Sequence, residues 1–116
     1  MLPNRIKLSN KSTDKLRYLK SKTGLTPNIL ARIAMMLAIK EGSNLSNAGV
    51  ADTDGQDLNK SVLFGDHEEV YDVMINQYIH DSDVDMNIQQ TIVALIEVGV
   101  HKMGHLKSIE EIYKLN

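Results

Sequence analysis

The segment SKTGLTPNILARIAMMLAIKEG, residues 21–42, joins a well-marked helix start to an almost uniformly apolar body. Thr26 stands where a helix N-cap belongs, Pro27 follows in the first turn, and Gly42 marks the end, so a helix is predicted over roughly residues 27–41. Within NILARIAMMLAIK, residues 28–40, the only polar positions are Asn28, Arg32 and Lys40. Because protein must cover most of such a helix, we expect it in the core and at or near a contact between subunits.

The residues before this helix predict a strand and another helix. In NRIKLSN, two apolar residues alternate with Arg5 and Lys7, which is the period of a short half-buried strand that needs a partner strand. From about residue 12 to residue 23 the spacing becomes helical, and Gly24 follows at a C-cap position. The order strand, helix, tight turn, helix is similar to ribbon-helix-helix repressors, in which paired strands and the start of the second helix meet DNA.

The second half of the chain predicts further helices joined by polar loops. Residues 43–65 form a polar connection that is expected to fold back as a loose hairpin. A helix is predicted over residues 67–80, capped by Asp66 with Glu69. Its predicted apolar face consists of Val70, Val73, Met74 and Tyr78.

Two more helices complete the predicted fold. One spans about residues 87–103, and a short last one begins with Ser108 and Glu111 as a capping box. We therefore expect one domain over residues 1–116. It is mainly α, with a short N-terminal strand and a compact bundle of about five helices.

Composition excludes several classes of function. The absence of cysteine excludes disulfides, thiol catalysis and zinc sites built on cysteine. One phenylalanine and no tryptophan leave little for stacking unpaired bases. The chain has no run of about 18 apolar residues and no apolar signal near its start, so we expect a cytoplasmic protein that does not contact a membrane.

Charge is divided sharply along the chain. Residues 1–40 contain nine basic side chains and one acidic one, a net charge of +8, whereas the remainder contains four basic and 14 acidic ones, a net charge of −10. A basic segment on an acidic body is typical of a protein that meets an anionic partner with one face, although a solvated helix gives the same counts. On the first predicted helix, one stripe is separate from the apolar face and consists of Lys11, Lys15, Tyr18 and Lys22.

The start of the 27–41 helix is a further candidate anion site. Free amide groups at a helix start favour phosphate, and Thr26 and Asn28 offer additional donors. Contacts with phosphate supply affinity without base specificity. The candidate DNA-binding residues are therefore Arg5, Lys7, Lys11, Lys15, Arg17, Lys20, Lys22, Thr26 and Asn28.

Three clusters resemble metal sites, and each has a simpler explanation. The DTDG stretch, residues 52–55, lacks the spacing of a calcium loop and predicts a turn. His101 and His105 are four residues apart without an evident third ligand, which favours exposed histidines near a helix end. The acidic residues between 81 and 85 fit capping positions better than a magnesium site. Without a nucleophile–base pair or a phosphate-binding glycine loop, we expect no catalytic residue, metal or cofactor.

Three motifs together are similar to one protein family. These are RIKLSNKSTDKLRYLKSKTGLTPNILARIAMMLAI, DGQDLNKSVLFGD and ALIEVGVHKMG. They resemble the DndE family of DNA sulfur modification proteins over nearly the whole chain. No role for Asp57, Asn59 or Lys60 in the second motif follows from the sequence.

The resemblance implies a mostly helical, oligomeric protein of the DNA phosphorothioation system that binds DNA, with nicks as candidate positions. The sulfur chemistry would belong to partners: a cysteine desulfurase, an iron–sulfur protein resembling ATP pyrophosphatases, and an ATPase. The main hypothesis is a non-enzymatic homo-oligomer that binds the DNA backbone. Two alternatives remain open. One is a protein-interaction scaffold of the same complex without direct DNA binding, and the other is a ribbon-helix-helix-type transcriptional repressor.

Overall fold

Helices dominate the structure, a computed structural model that describes residues 2–42, 44–45 and 48–104. The mainly helical fold with a short N-terminal strand is as predicted, and the helix predicted near Ser108 lies outside the described residues. The elements in chain order are β1 (Arg5–Lys7), α1 (Asn10–Thr23), α2 (Pro27–Lys40), β2 (Asp57–Asn59), α3 (Lys60–Phe64), a 3-10 turn (Gly65–His67), α4 (Glu68–Ser82) and α5 (Ile88–Met103).

The centre of the molecule is the packing of α2 against α5. A Cβ atom added at Gly99 would lie 2.0 Å from the carbonyl oxygen of Ala34, so the two helices approach closely where no side chain intervenes. The rest of the chain buries most of α2, so the helix lies in the core as predicted. Only Ile29 and Met36 remain exposed among its large apolar side chains, at 37% and 38%.

The partner of β1 comes from the segment that was expected to be a loose hairpin. β2 pairs with β1 in antiparallel fashion, with Ile6 opposite Leu58, and both side chains are buried. α3 follows directly and buries Leu63 and Phe64. The expectation of a polar connection was therefore wrong for the last part of this segment. Leu58 completes the two-stranded ribbon formed by β1 and β2, and Leu63 and Phe64 complete the core.

α1 is anchored at its start by buried polar groups. Ser9 is the N-cap and its hydroxyl oxygen accepts a hydrogen bond from the Ser12 backbone N–H at 3.0 Å. The hydroxyls of Ser9 and Ser12 both donate to Oε1 of Glu97 on α5, at 2.6 and 2.7 Å. All three side chains are buried. This cluster fixes the start of α1 against α5, since buried polar groups without partners would be costly.

The apolar face predicted for α4 is only partly confirmed, because Tyr78 is buried and Met74 is half-buried, but the two valines are exposed. Val70 and Val73 are 60% and 71% exposed, whereas Ile75 and Tyr78 are buried. The helix carries a second apolar stripe, in which the ring of Tyr71 packs against Phe64 with centroids 5.2 Å apart. Both stripes have helical spacing and share Tyr78. Packing against α3 and α5 buries Ile75 and Tyr78 and half-buries Tyr71.

The predicted cap of this helix is also corrected. α4 begins after His67, which makes no side-chain capping hydrogen bond, and Asp66 lies within the 3-10 turn. The turn occupies the position where an Asp66–Glu69 capping box would have to start the helix.

Candidate nucleic-acid interface

The outward face of α1 is basic. The apolar face of the helix packs into the core, so the basic residues are left on the outside. Leu16 and Leu19 are buried, and this fixes the rotation of the helix. Lys11, Tyr18 and Lys22 of the predicted stripe are exposed, and so are Arg17 and Lys20. The Lys22 ammonium lies 5.6 Å from the centroid of the Tyr18 ring, within the range of a cation–π contact. The stripe therefore faces outward, as the spacing predicted.

Lys15 differs from the other lysines of the stripe. It is half-buried, and a Cβ atom added at Gly104 would lie 3.4 Å from its Nζ atom. Its ammonium therefore lies at the C-terminal end of α5, where the helix dipole and unpaired carbonyl groups favour a cation. Lys15 supports the packing of α1 on α5 as well as contributing charge to the outer face.

The basic residues of the ribbon lie beside an acidic one. Arg5 and Lys7 are both exposed on β1, and Lys7 pairs in register with Asp57. The Arg5 guanidinium forms an ion pair with the Asp57 carboxylate at 3.2 Å. The outer surface of the ribbon is therefore less positive than that of α1. Arg17 also has an ion-pair partner, Asp14 at 3.6 Å, but both side chains are well exposed and such pairs are weak.

Thr26 and Asn28 occupy different environments at the start of α2. Thr26 is the N-cap residue, is exposed, and makes no side-chain capping hydrogen bond. The Asn28 side-chain amide donates to the Val62 carbonyl oxygen at 3.3 Å, and Arg32 donates to the same oxygen at 2.9 Å and to the Leu63 carbonyl. Asn28 thus helps to hold the end of α3, and a phosphate contact would have to use its second amide hydrogen.

The DGQDLNKSVLFGD motif has an architectural role that the sequence did not reveal. Gly55 leaves no room for a side chain, because an added Cβ atom would lie 2.4 Å from the Ser9 carbonyl oxygen. Asn59 caps α3 by accepting from the Ser61 backbone N–H at 2.9 Å. The Lys60 backbone N–H donates to the Asn4 carbonyl oxygen, and its ammonium lies 3.8 Å from the Glu68 carboxylate. Together with the Asp57 ion pair, these contacts position β2 and α3.

The DTDG stretch forms a turn that ties the loop to α1. Oδ1 of Asp52 accepts hydrogen bonds from the backbone N–H groups of Asp54 and Asn10, each at 3.0 Å. These two bonds, that from Asp54 first, lower the pKa of the Asp52 carboxyl below its usual value. The carboxylate therefore acts as a local clamp.

The described residues hold no group of three or more His, Asp or Glu side chains placed to bind a metal ion. Asp83 is the C-cap residue of α4, with a left-handed φ of 51°, so this acidic residue ends the helix. His101 is exposed near the end of α5, and His105 lies outside the described residues. Among the helices that the structure describes, none has the length and apolarity required to cross a membrane.

Two solved structures are similar to this chain. The crystal structure of DndE from Escherichia coli B7A, involved in DNA phosphorothioation modification, is 26% identical, with a TM-score of 0.70, and the match covers 89% of this chain and 99% of that one. A glycine-to-lysine mutant of DndE, involved in DNA phosphorothioation, is 25% identical with a TM-score of 0.71 and the same two coverages. No curated protein sequence matches.

The family profile described as DNA sulphur modification protein DndE matches residues 5–111. This range contains all three motifs on which the sequence resemblance rests. It also contains every residue of the basic face of α1, of the ribbon and of the start of α2. The chain therefore belongs to the DndE family of DNA sulfur modification proteins.

Proposed function

We propose that this protein is a non-enzymatic, cytoplasmic component of the DNA phosphorothioation machinery that binds the DNA backbone as a homo-oligomer. The observation that supports this proposal most directly is the basic outward face of α1, in a chain whose family acts in DNA sulfur modification. Four exposed cations lie on this one helix: Lys11, Arg17, Lys20 and Lys22. The partner desulfurase, iron–sulfur protein and ATPase would carry out the sulfur chemistry.

Contacts of these side chains with phosphate would release counterions from the duplex. Binding would therefore weaken as salt rises, and it would depend little on base sequence. Arg5, Lys7 and Thr26 would extend the contact from α1 to the ribbon and to the start of α2. Lys15 and Asn28 would contribute less, because each already has a structural contact.

The exposed edge of α2 supports the proposed oligomer. Ile29 and Met36 are separated by about two helical turns, so they lie on the same side of this helix. A contact between copies through this edge would cover both side chains. Several copies of the basic face would then be available to one duplex, which raises the apparent affinity.

Titrating labelled duplexes tests the DNA proposal. Intact duplexes of several unrelated sequences should bind with similar affinity. Comparing each intact duplex with its nicked form shows whether a nick raises the affinity. A strong preference for one sequence would favour the repressor alternative. Absence of binding to every duplex, together with binding to an acidic protein of the same system, would favour the scaffold alternative.

Measuring the mass in solution tests the oligomer. The wild-type protein should exceed the 13.0 kDa of one chain, and Met36→Lys should lower the mass towards that value while the circular dichroism spectrum is retained. A charge at this exposed position disturbs a contact between copies without entering the core of the chain. Gln89→Lys, at an exposed position on α5, serves as the control. Leu37→Lys is unsuitable, because Leu37 is buried within the chain.

A wild-type mass of one chain at all concentrations tested would contradict the proposed oligomer. An unchanged mass for Met36→Lys would move the interface between copies away from this edge of α2.

A further inference from the structure

The outward side of α4 borders an apolar groove. The groove has a volume of about 800 Å³ and lies between α4 and the C-terminal end of α2. Val70, Val73 and Met74 line it from α4, and Ile39 lines it from α2. Val70 and Val73 are the most exposed large apolar side chains among the described residues. The core contacts of α4 leave these two valines uncovered, because the helix packs into the core through Ile75 and Tyr78, the second of which also forms part of the groove wall.

The surroundings of the groove are acidic. Residues 66–85 contain seven aspartate or glutamate residues and no lysine or arginine. Glu69 and Asp81 line the groove itself, and none of its lining residues is basic. A negative potential repels DNA and attracts a cationic partner. The groove therefore cannot be an extension of the nucleic-acid interface.

The arrangement along α4 matches one kind of occupant. From Glu69 to Asp81 the helix rises about 18 Å, at about 1.5 Å per residue, which equals about three helical turns. The apolar residues lie between these two acidic positions. An amphipathic helix with an apolar stripe and basic residues at its flanks would bury the stripe in the groove and pair its charges with the acidic rim.

The basic helix α1 of a second copy does not have this pattern. Its exposed face consists of charged and polar side chains apart from Tyr18. A helix from a different protein therefore fits the groove better than the α1 face of the same chain.

We propose that the groove between α4 and the end of α2 docks a basic, amphipathic helix of another protein. The chain would then have two recognition surfaces of opposite charge, one for DNA on α1 and one for a protein helix on α4. This docking proposal does not depend on DNA binding.

A fluorescently labelled model helix tests the proposal in the absence of DNA. The probe is a synthetic peptide of roughly 18 residues, built of leucine and lysine with the leucines on one face. Fluorescence anisotropy should detect its binding to the wild-type protein. A peptide of the same composition, with the leucines spread around the helix, should bind about tenfold more weakly, because it cannot bury an apolar stripe.

Two double variants test the two features of the groove. Val70→Ser with Val73→Ser removes exposed apolar surface, and Glu69→Lys with Asp81→Lys reverses the rim charges. Each should weaken binding of the probe about tenfold or more. Val62→Ser, an exposed apolar position outside the groove, and Asp54→Lys, an exposed acidic position in a loop, should stay within about twofold of the wild type.

Equal binding of the two peptides would overturn the proposal, since charge alone would then explain the attraction. Unchanged binding in both double variants would also overturn it, as the probe would be bound elsewhere. A lower mass in solution for Val70→Ser with Val73→Ser would identify the groove as an interface between copies of this chain and would likewise exclude a different protein as its occupant.

Discussion

α1 and α4 are surface helices of similar length, with 14 and 15 residues, and both pack against α5. Their outward faces differ in both charge and polarity. α1 presents lysines and Arg17, whereas α4 presents Val70 and Val73 between carboxylates. The comparison shows that the charge division along the chain becomes a division between two surfaces of the folded protein. One surface is suited to an anionic partner and the other to a cationic, partly apolar one.

The two helices also differ in how completely their sequences determine their orientation. α1 has one apolar stripe, so burying Leu16 and Leu19 leaves only one outward face. α4 has two stripes with helical spacing, and its sequence does not decide between them. The buried stripe is chosen by contacts with α3 and α5.

The largest expected effect concerns α5, the helix against which both α1 and α4 pack. Gly99→Ala should destabilise the protein by about 3 kcal/mol or more, because an added Cβ atom would overlap the Ala34 backbone where α2 and α5 touch. Chemical denaturation measures the change. Gly104→Ala is the control and should cost less than about 1 kcal/mol, since its nearest contacts are at 3.3 and 3.4 Å. Equal effects of the two substitutions would contradict the close crossing of α2 and α5.

The orientation of α4 can be tested by truncating one residue of each stripe. Ile75→Ala should lower the free energy of unfolding by about 3 kcal/mol, because it leaves a cavity in the core. Val73→Ala should change it by less than about 0.5 kcal/mol, because the side chain is exposed. Urea denaturation of both variants compares the stripes directly. A greater destabilisation by Val73→Ala would mean that the sequence-based orientation of α4 had been right.

The basic face of α1 can be weakened without disturbing the core. Lys11→Gln with Lys22→Gln should reduce affinity for unrelated duplexes about equally. It should also flatten the dependence of log affinity on log salt by about 0.9 for each phosphate that is no longer neutralised. Folding should change by less than about 0.5 kcal/mol for each exposed lysine.

The control for this experiment removes two charges elsewhere. Lys40→Gln with Lys102→Gln should leave the salt dependence nearly unchanged, and neutralising Lys102 avoids placing a second carboxylate beside its ion-pair partner Glu41. If the two double variants flatten the salt dependence equally, overall charge and not the face of α1 governs binding.

The smallest expected effect concerns Asp52, which clamps the loop to the start of α1. The backbone N–H groups hold its folded-state pKa below the unfolded value, so its stabilising contribution is present above about pH 4 and is lost as the pH falls through the folded pKa. Asp52→Ala should therefore show a shallower decline of stability than the wild type between about pH 5 and pH 2. Denaturation across this range measures both slopes. Parallel slopes would show that Asp52 does not contribute in this way.

The sequence by itself determined the family, most of the helices and the outward stripe of α1. The limits of α1, α2 and α5 follow from local signals such as Gly24, which has the left-handed φ of 76° that glycine adopts easily. The exposure of Lys11 and Lys22 follows from one apolar stripe that can be buried in only one way. These features depend on neighbours within one or two helical turns, and a sequence pattern records such neighbours.

Only the tertiary structure decided the features that depend on distant contacts. β1 pairs with a strand about 50 residues later in the chain, and Glu97 receives hydrogen bonds from serines more than 80 residues earlier. The same is true of Lys15 at the end of α5, of Asn28 beneath α3, and of the exposed valines of α4. In each case the local pattern permits more than one environment, and the choice depends on which surfaces pack together when the whole chain folds.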